Sequence, residues 1–435
     1  MKERRRDAGL VRAIGTWGLA ANIVNVVVGA GIFAAPAAVA ACMGAAGPLA
    51  FLACAIAVGA VAICLAEGGS RVPTSGGIYG CIEEAFGPLA GYVAGTTLWF
   101  SDVLACGGVA AALADAVVSV LPAQMATAAH ASVIVASIGG VAMVNTRGIK
   151  GGARLVDAMT LAKLIPLAIF VAAGAHAVRK ANFLQTTALS PSGFGRALIL
   201  ALFVFTGMEV SLSASGEVSR PARTIPRALG IAVTSTACLY IAIQAIAQGI
   251  LGPALANSQA PLADAMARIS PVLRVLLLGA AALSMFGWLS SDLLASPRVL
   301  FAFARDGLLP SALGKLHPHS KTPNVAIVCY AALAIGLALT GTFAELAVLS
   351  TLGSAVLYIG GCAAAWQLAR RGVALAGKPL GFRWLRVAVT VGIGSMVAMI
   401  FLASRQEILG LIALLTISTL VYMVQRRRVA ARLDA

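Results

Sequence analysis

Three ionisable side chains stand inside apolar runs of this chain. Asp102 follows Leu98-Trp99-Phe100-Ser101, Lys163 sits in Leu161-Ala162-Lys163-Leu164-Ile165-Pro166, and Glu209 ends Phe203-Val204-Phe205-Thr206-Gly207-Met208-Glu209. Burying a charge at membrane depth is expensive, so such groups face a protein interior or a water-filled path and serve ions, protons or substrate. A second chemistry belongs to the backbone. The stretch Val28-Gly29-Ala30-Gly31-Ile32-Phe33-Ala34-Ala35-Pro36 puts two glycines and a proline in mid-segment, where they make poor helix interior. A helix in lipid must satisfy its own backbone, and a break is tolerated only where it is buried in protein or lines a cavity. The stretch reads either as an interrupted helix whose freed N–H and C=O groups bind a small solute, or as a close-packing face on which small residues admit a neighbouring helix.

The elements that must position these groups follow from composition. Of 435 residues, 60% are hydrophobic and 11% charged, against about 25% charged in soluble domains. The chain is expected to be an all-α polytopic membrane protein. Twelve apolar segments span roughly 14–42, 47–68, 88–120, 125–145, 154–176, 194–215, 228–251, 272–303, 323–341, 345–369, 382–403 and 406–425. Arg4-Arg5-Arg6, an apolar run and Ala40-Ala41-Cys42 imitate an export signal; the length of the run, its glycines and the segments after it predict a retained first helix. With the N-terminus inside, twenty-five Lys and Arg residues fall on the inner side and six on the outer, with Lys163 inside a segment. Under the positive-inside rule both termini are expected in the cytoplasm. The net charge of +16 is thereby a topology signal and gives no nucleic-acid reading. Eight cysteines lie singly without a CxxC, and the four histidines lie in loops or near segment ends, so no disulfide framework, metal site or cofactor is expected.

Segment 6 repeats the anomaly of segment 1, with Gly207 and Glu209 deep in an apolar run. Two interrupted helices at corresponding places in two halves point to a transporter binding site. Segments 1–5 (14–176) and 6–10 (194–369) would then be inverted repeats, with helices 11–12 (382–425) appended; the pairing rests on position, since no repeat identity is visible in the residues.

Several motifs carry a family resemblance. They are Gly29-Ala30-Gly31-Ile32-Phe33; Ala66-Glu67-Gly68-Gly69-Ser70-Arg71-Val72-Pro73 with Gly76-Gly77-Ile78-Tyr79 and Ala85-Phe86-Gly87-Pro88; Phe203 to Glu209; Glu217-Val218-Ser219-Arg220-Pro221-Ala222-Arg223-Thr224-Ile225-Pro226-Arg227; and Arg305-Asp306-Gly307-Leu308-Leu309-Pro310 before Thr322-Pro323. In this order they resemble the amino acid–polyamine–organocation permeases through most of the chain. The resemblance implies a LeuT-type fold of 12 transmembrane helices, a 5+5 inverted repeat plus two C-terminal helices, in one transporter domain of a bacterial inner membrane. It implies secondary transport of amino acids by alternating access.

For an amino acid zwitterion, N–H groups of Gly29, Ala30 and Gly31, with Ile32 following, would hold the carboxylate at a half-helix N-terminus. Carbonyls near Phe203, Val204 and Thr206, beside Gly207, would hold the amine. Ala30 departs from relatives that carry serine there. By resemblance to the arginine/agmatine antiporter branch, Phe203 and Trp288 line or gate the pocket, Thr206 lies under the side chain and Trp99 is a gating aromatic; lipid or core packing is the plainer reading of those rings. In relatives the glutamate matching Glu209 is gating and proton-linked. Lys163 resembles a lysine that stands where sodium-dependent relatives bind sodium, so sodium-independent, proton-coupled symport or exchange is expected, with a structural strut as the alternative reading of the lysine. Asp102 matches no family signature; it attracts a cationic substrate, pairs with Lys163, or faces water. Asp292 is expected to pair with loop arginines such as Arg298, and Arg71, Glu217, Arg223 and Arg305 to form ion pairs of an inner gate. Phe203, Trp288 and the small Ala30 fit a neutral side chain, whereas Trp288 with Asp102 leaves arginine, agmatine or a polyamine open, as exchange or export. The partners expected are the amino acid or amine, the bilayer and a proton or exchanged solute, for a monomer or homodimer. A membrane enzyme is disfavoured because there is no HExxH and no GxSxG in a credible setting, and a channel because nothing repeats to ring a pore.

Overall fold

The structure is a computed structural model that describes residues 14–73, 77–147, 153–184, 190–212, 218–305, 308–317, 322–375 and 377–433. Their α-helices, in order, are α1 (Thr16–Val27), α2 (Gly31–Met43), α3 (Gly47–Arg71), α4 (Gly77–Phe86), α5 (Pro88–Val118), α6 (Ala126–Arg147), α7 (Ala153–Gly174), α8 (Pro191–Phe205) and α9 (Met208–Ser211). There follow α10 (Pro221–Leu251), α11 (Pro261–Ala267), α12 (Pro271–Ala295), α13 (Pro297–Arg305), α14 (Asn324–Thr340), α15 (Phe343–Arg370), α16 (Leu385–Phe401) and α17 (Arg405–Leu433). One isolated bridge, Ile14 to Val218, joins the start of the described chain to the loop before α10. Seven helical stretches among the described residues are long and apolar enough to cross a membrane, and five more helices are apolar but shorter. The chain is a polytopic membrane protein. Its long apolar helices form because every backbone N–H and C=O in lipid needs an internal partner.

Three predicted segments resolve into helix pairs: 14–42 into α1 and α2, 194–215 into α8 and α9, and 272–303 into α12 and α13. The first two pairs cross. Gly207 has φ +111, a conformation that L side chains rarely adopt. A Cβ built there would lie 3.0 Å from Val26 Cγ1, so the second break sits on the last turn of α1. A Cβ on Gly31 would meet the Phe203 ring at 3.2 Å and Val204 Cα at 3.6 Å, so the start of α2 sits on the end of α8. A break and a close-packing face therefore coincide in the glycine stretch: the helix is interrupted there, and the missing side chains admit its neighbours.

Around this crossing, α5 and α15 are inner helices, with most of their residues buried. Gly107 and Gly108 of α5 press on the backbone of α14 and α15: built Cβ atoms would lie 3.3 Å from Ala334 O and 3.6 Å from Phe343 O. Gly353 of α15 likewise leaves room for the Ser101 side chain. Such small-residue faces are what permit close helix approach in lipid. At the periphery, α17 leaves Leu409, Ile412, Ile417 and Leu420 exposed, and α12 leaves Val272 and Val275 exposed; these are faces for hydrocarbon rather than water.

Candidate functional site

A break in a buried helix leaves carbonyls without i+4 donors, and each must be accounted for. Other helices supply side-chain donors to the first break. Lys163 of α7 donates its ammonium to Asn25 O. Tyr240 of α10 donates to Val27 O at 2.8 Å, and Ser284 of α12 to Gly29 O at 3.4 Å. Within the break Gly29 N–H turns back to Val27 O at 2.7 Å. On the other side of the break α2 starts at Gly31 with no side chain capping it, and the first N–H groups of a helix have no intrahelical acceptor.

The second break is closed by its own carboxylate. Gly207 N–H donates to both oxygens of Glu209, at 3.1 and 3.0 Å, and Tyr358 of α15 donates to Glu209 Oε2 at 2.6 Å. Thr206 Oγ1 donates to Phe203 O at 2.7 Å. Glu209 is thus a buried acid fixed across the break between α8 and α9 and tied to α15.

Beside the crossing lies a cavity of about 210 Å³, a volume for a small solute. Asn25 and Val26 border it from α1, Thr206, Gly207 and Glu209 from the second break, Lys163 from α7, Trp288, Asp292 and Ser296 from the end of α12, and Ser101 and Asp102 from α5. It lies on the α1 side of the first break. Three carboxyl groups and one ammonium line it. Asp102 and Asp292 meet at one hydroxyl: Ser296 Oγ is 3.0 Å from Asp102 Oδ2 and 2.8 Å from Asp292 Oδ1. Tyr330 of α14 donates to Asp292 Oδ2 at 2.6 Å.

Of the residues singled out in the sequence, Thr206, Gly207, Trp288, Glu209, Lys163 and Asp102 come together on this one cavity. Gly29 and Gly31 lie behind rings. A Cβ on Gly29 would be 3.0 Å from Trp288 Cδ1, while Phe203 covers Gly31 and meets Phe343 edge-on at 5.6 Å between centroids. Ala30, Ile32 and Val204 are buried and do not line the cavity. Neither does Trp99, which packs edge-on against Tyr330 at 6.0 Å.

Two expected pairings are corrected. Asp292 bonds Tyr330 and Ser296 rather than Arg298, because it is buried where α12 faces α5 and α14 instead of lying at a water interface. Arg71 pairs with Glu67 one turn earlier, at 2.7 Å, and donates to Val373 O at 3.0 Å. Glu67 and Ser70 also accept from Phe382 N and Leu380 N, at 3.0 and 3.1 Å, so this cluster holds the chain after α15. Glu217, the other expected partner, lies outside the described residues, as do Gly76, Asp306, Gly307 and His319. Asp102 bonds Ser296, and the ammonium of Lys163 goes to Asn25. Sequence reasoning missed Asn25, Ser101, Tyr240, Ser284, Ser296, Tyr330 and Tyr358. Tyrosines and serines in apolar helices carry no periodic signal, and only the fold shows which of them reach a free carbonyl or a carboxylate.

Comparison with known proteins gives a consistent result. The sequence profile of a family described as amino acid permease matches residues 14–424. An uncharacterised transporter of Mycobacterium tuberculosis is 33% identical over 361 residues, covering 82% of this chain and 79% of the relative. A methylthioribose transporter of Bacillus subtilis is 28% identical over 383 residues, covering 81% of each. A branched-chain amino acid permease of the same organism is 27% identical over 378 residues, covering 81% of this chain and 80% of the relative.

Proposed function

The chain belongs to the amino acid permease family, and from that premise we propose that it is a sodium-independent secondary transporter moving amino acids across a bacterial inner membrane by alternating access. It is a multi-pass membrane transporter of amino acids or related solutes; coupling and mechanism are the proposal. The observation that carries it is the crossing of two broken helices beside a cavity, with the carbonyls of the first break already held by Lys163, Tyr240 and Ser284.

The substrate carboxylate docks on the N–H groups at Ala30 and Gly31, where no side chain caps α2 and its dipole is positive, and on Gly29 N–H once that group leaves Val27 O. The amine docks on carbonyls at the end of α8, near Phe203, Val204 and Thr206. Trp288 and Phe203 cover Gly29 and Gly31 in this conformation, so their rings withdraw to admit the substrate and afterwards shield it, which makes them gates. With twelve spans, two five-helix repeats (14–176 and 194–369) and cytoplasmic termini, the α1 side of the break, where the cavity lies, is the cytoplasmic side. Lys163 supplies the positive charge a sodium ion would otherwise supply on the α1 carbonyls, and a buried amine can release and regain a proton as α1 moves. Glu209, with Tyr358, locks the second break during the same movement.

Uptake and counterflow in proteoliposomes, with and without sodium and a pH gradient, test this. Amino acid flux that is indifferent to sodium and responds to the pH gradient or to internal substrate is expected. Flux that requires sodium contradicts the role of Lys163.

A further inference from the structure

The zwitterion site needs an anion holder and an amine holder at the crossing of the breaks. It leaves Asp102 and Asp292 without a job, yet both line the same cavity. With both acids ionised, their hydrogen bonds do not balance. Ser296 has one hydroxyl hydrogen and sits within bonding distance of a carboxylate oxygen of each acid, so it serves one at a time. Asp292 also accepts from Tyr330. Asp102 is left as the acid short of donors, and it is the more accessible of the two, half-buried where Asp292 is 8% exposed.

A second, independent observation lies one residue away. Ser101 is 3% exposed, lines the cavity, and its Oγ has no hydrogen-bond partner. A buried hydroxyl without a partner is destabilising unless a ligand or water completes it. The charges point the same way. Glu209 is held by Gly207 N–H and Tyr358, and Lys163, the cation among the lining residues, is engaged on Asn25 O on the α7 and α1 side. The α5 and α12 side therefore presents two carboxyl groups to a solute, with the unpaired Ser101 hydroxyl at the cavity wall beside Gly353 and no basic side chain from those helices lining the cavity.

We propose that Asp102, Asp292, Ser296 and Ser101 form a cation-accepting subsite that makes the transported solute one with a positively charged side chain, an ammonium or guanidinium, rather than a neutral one. The subsite rests on the amino acid transport reading above and extends it. The donors of an ammonium or guanidinium supply what the cluster lacks: they satisfy Asp102, release Ser296 to Asp292, and offset the carboxylate charge.

The test uses paired substrates that match in shape and differ in charge, arginine against citrulline and ornithine against norleucine, in proteoliposomes containing the purified full chain. The wild type is expected to take the charged member of each pair at least about tenfold better, the size of a charge-assisted hydrogen bond in a site. Asp102→Asn is expected to collapse that ratio towards one, and Asp102→Glu to restore part of it. Wild-type flux of citrulline and norleucine with arginine and ornithine inert overturns the subsite and leaves amino acid transport standing. An Asp102→Asn protein that loses all four substrates equally, with the ratio unchanged, assigns the pair to proton transfer and also overturns it. If Asp102→Asn does not fold, the wild-type ratios decide alone. Absence of flux for any amino acid or amine removes both readings.

Discussion

Glu209 illustrates how a buried carboxylate becomes a structural joint. It receives N–H from Gly207 on both oxygens and O–H from Tyr358, so Tyr358→Phe leaves a buried acid short of a donor. A loss of about 1.5–3 kcal/mol in folding stability is expected, measurable by denaturant titration in detergent, with transport reduced in parallel. Gly207→Ala combines a φ of +111 with a Cβ 3.0 Å from Val26, and is expected to cost about 1–3 kcal/mol in strain; unchanged stability would show that the break relaxes freely. At this scale the sequence was legible where an ionisable residue or glycine interrupts an apolar run, as with Asp102, Lys163, Glu209 and Gly29. It was illegible where the partner is a serine or tyrosine, as with Ser296, Tyr330 and Tyr358. Asp292 was misplaced because its distance along segment 8 suggested an interface, whereas the packing of α12 on α5 and α14 buries it.

The helix breaks are legible as elements because glycines grouped with a proline or an ionisable residue make poor helix interior, and their crossing is not, since nothing in the residues marks Val26 as the neighbour of Gly207. The break between α1 and α2 survives in a protein interior because three helices donate to its carbonyls. Tyr240→Phe removes the donor to Val27 O and is expected to cost about 1–3 kcal/mol, with hydrogen exchange around residues 25–30 accelerated relative to α15. Lys163→Met keeps the stem of the side chain and removes the tie between α7 and Asn25 O; transport is expected to be lost while the protein remains folded. A Lys163→Met protein with full flux would make the lysine dispensable to the cycle. The expected gate of loop ion pairs took a different form at Arg71: it closes on Glu67 within its own helix, because residues one turn apart on a helix meet before distant loops do.

For the whole molecule, the long apolar runs and scarce charges were enough to read an all-helical polytopic membrane protein without any structure, since the bilayer restricts spanning elements so severely. Cytoplasmic placement of both termini is expected, and reporter fusions after residue 435 and before residue 1 should read the same side; opposite sides would break the even count of spans. The transport cycle joins all three scales at the first break, and one measurement bears on it most directly: amino acid counterflow in sodium-free proteoliposomes for the wild type and Gly29→Leu. A built Cβ at position 29 would lie 3.0 Å from the Trp288 ring, so a leucine there blocks the approach of a carboxylate to the N–H groups of the break. Robust sodium-free exchange by the wild type and none by a folded Gly29→Leu protein is predicted. Equal exchange by both, or exchange only when sodium is added, contradicts the account.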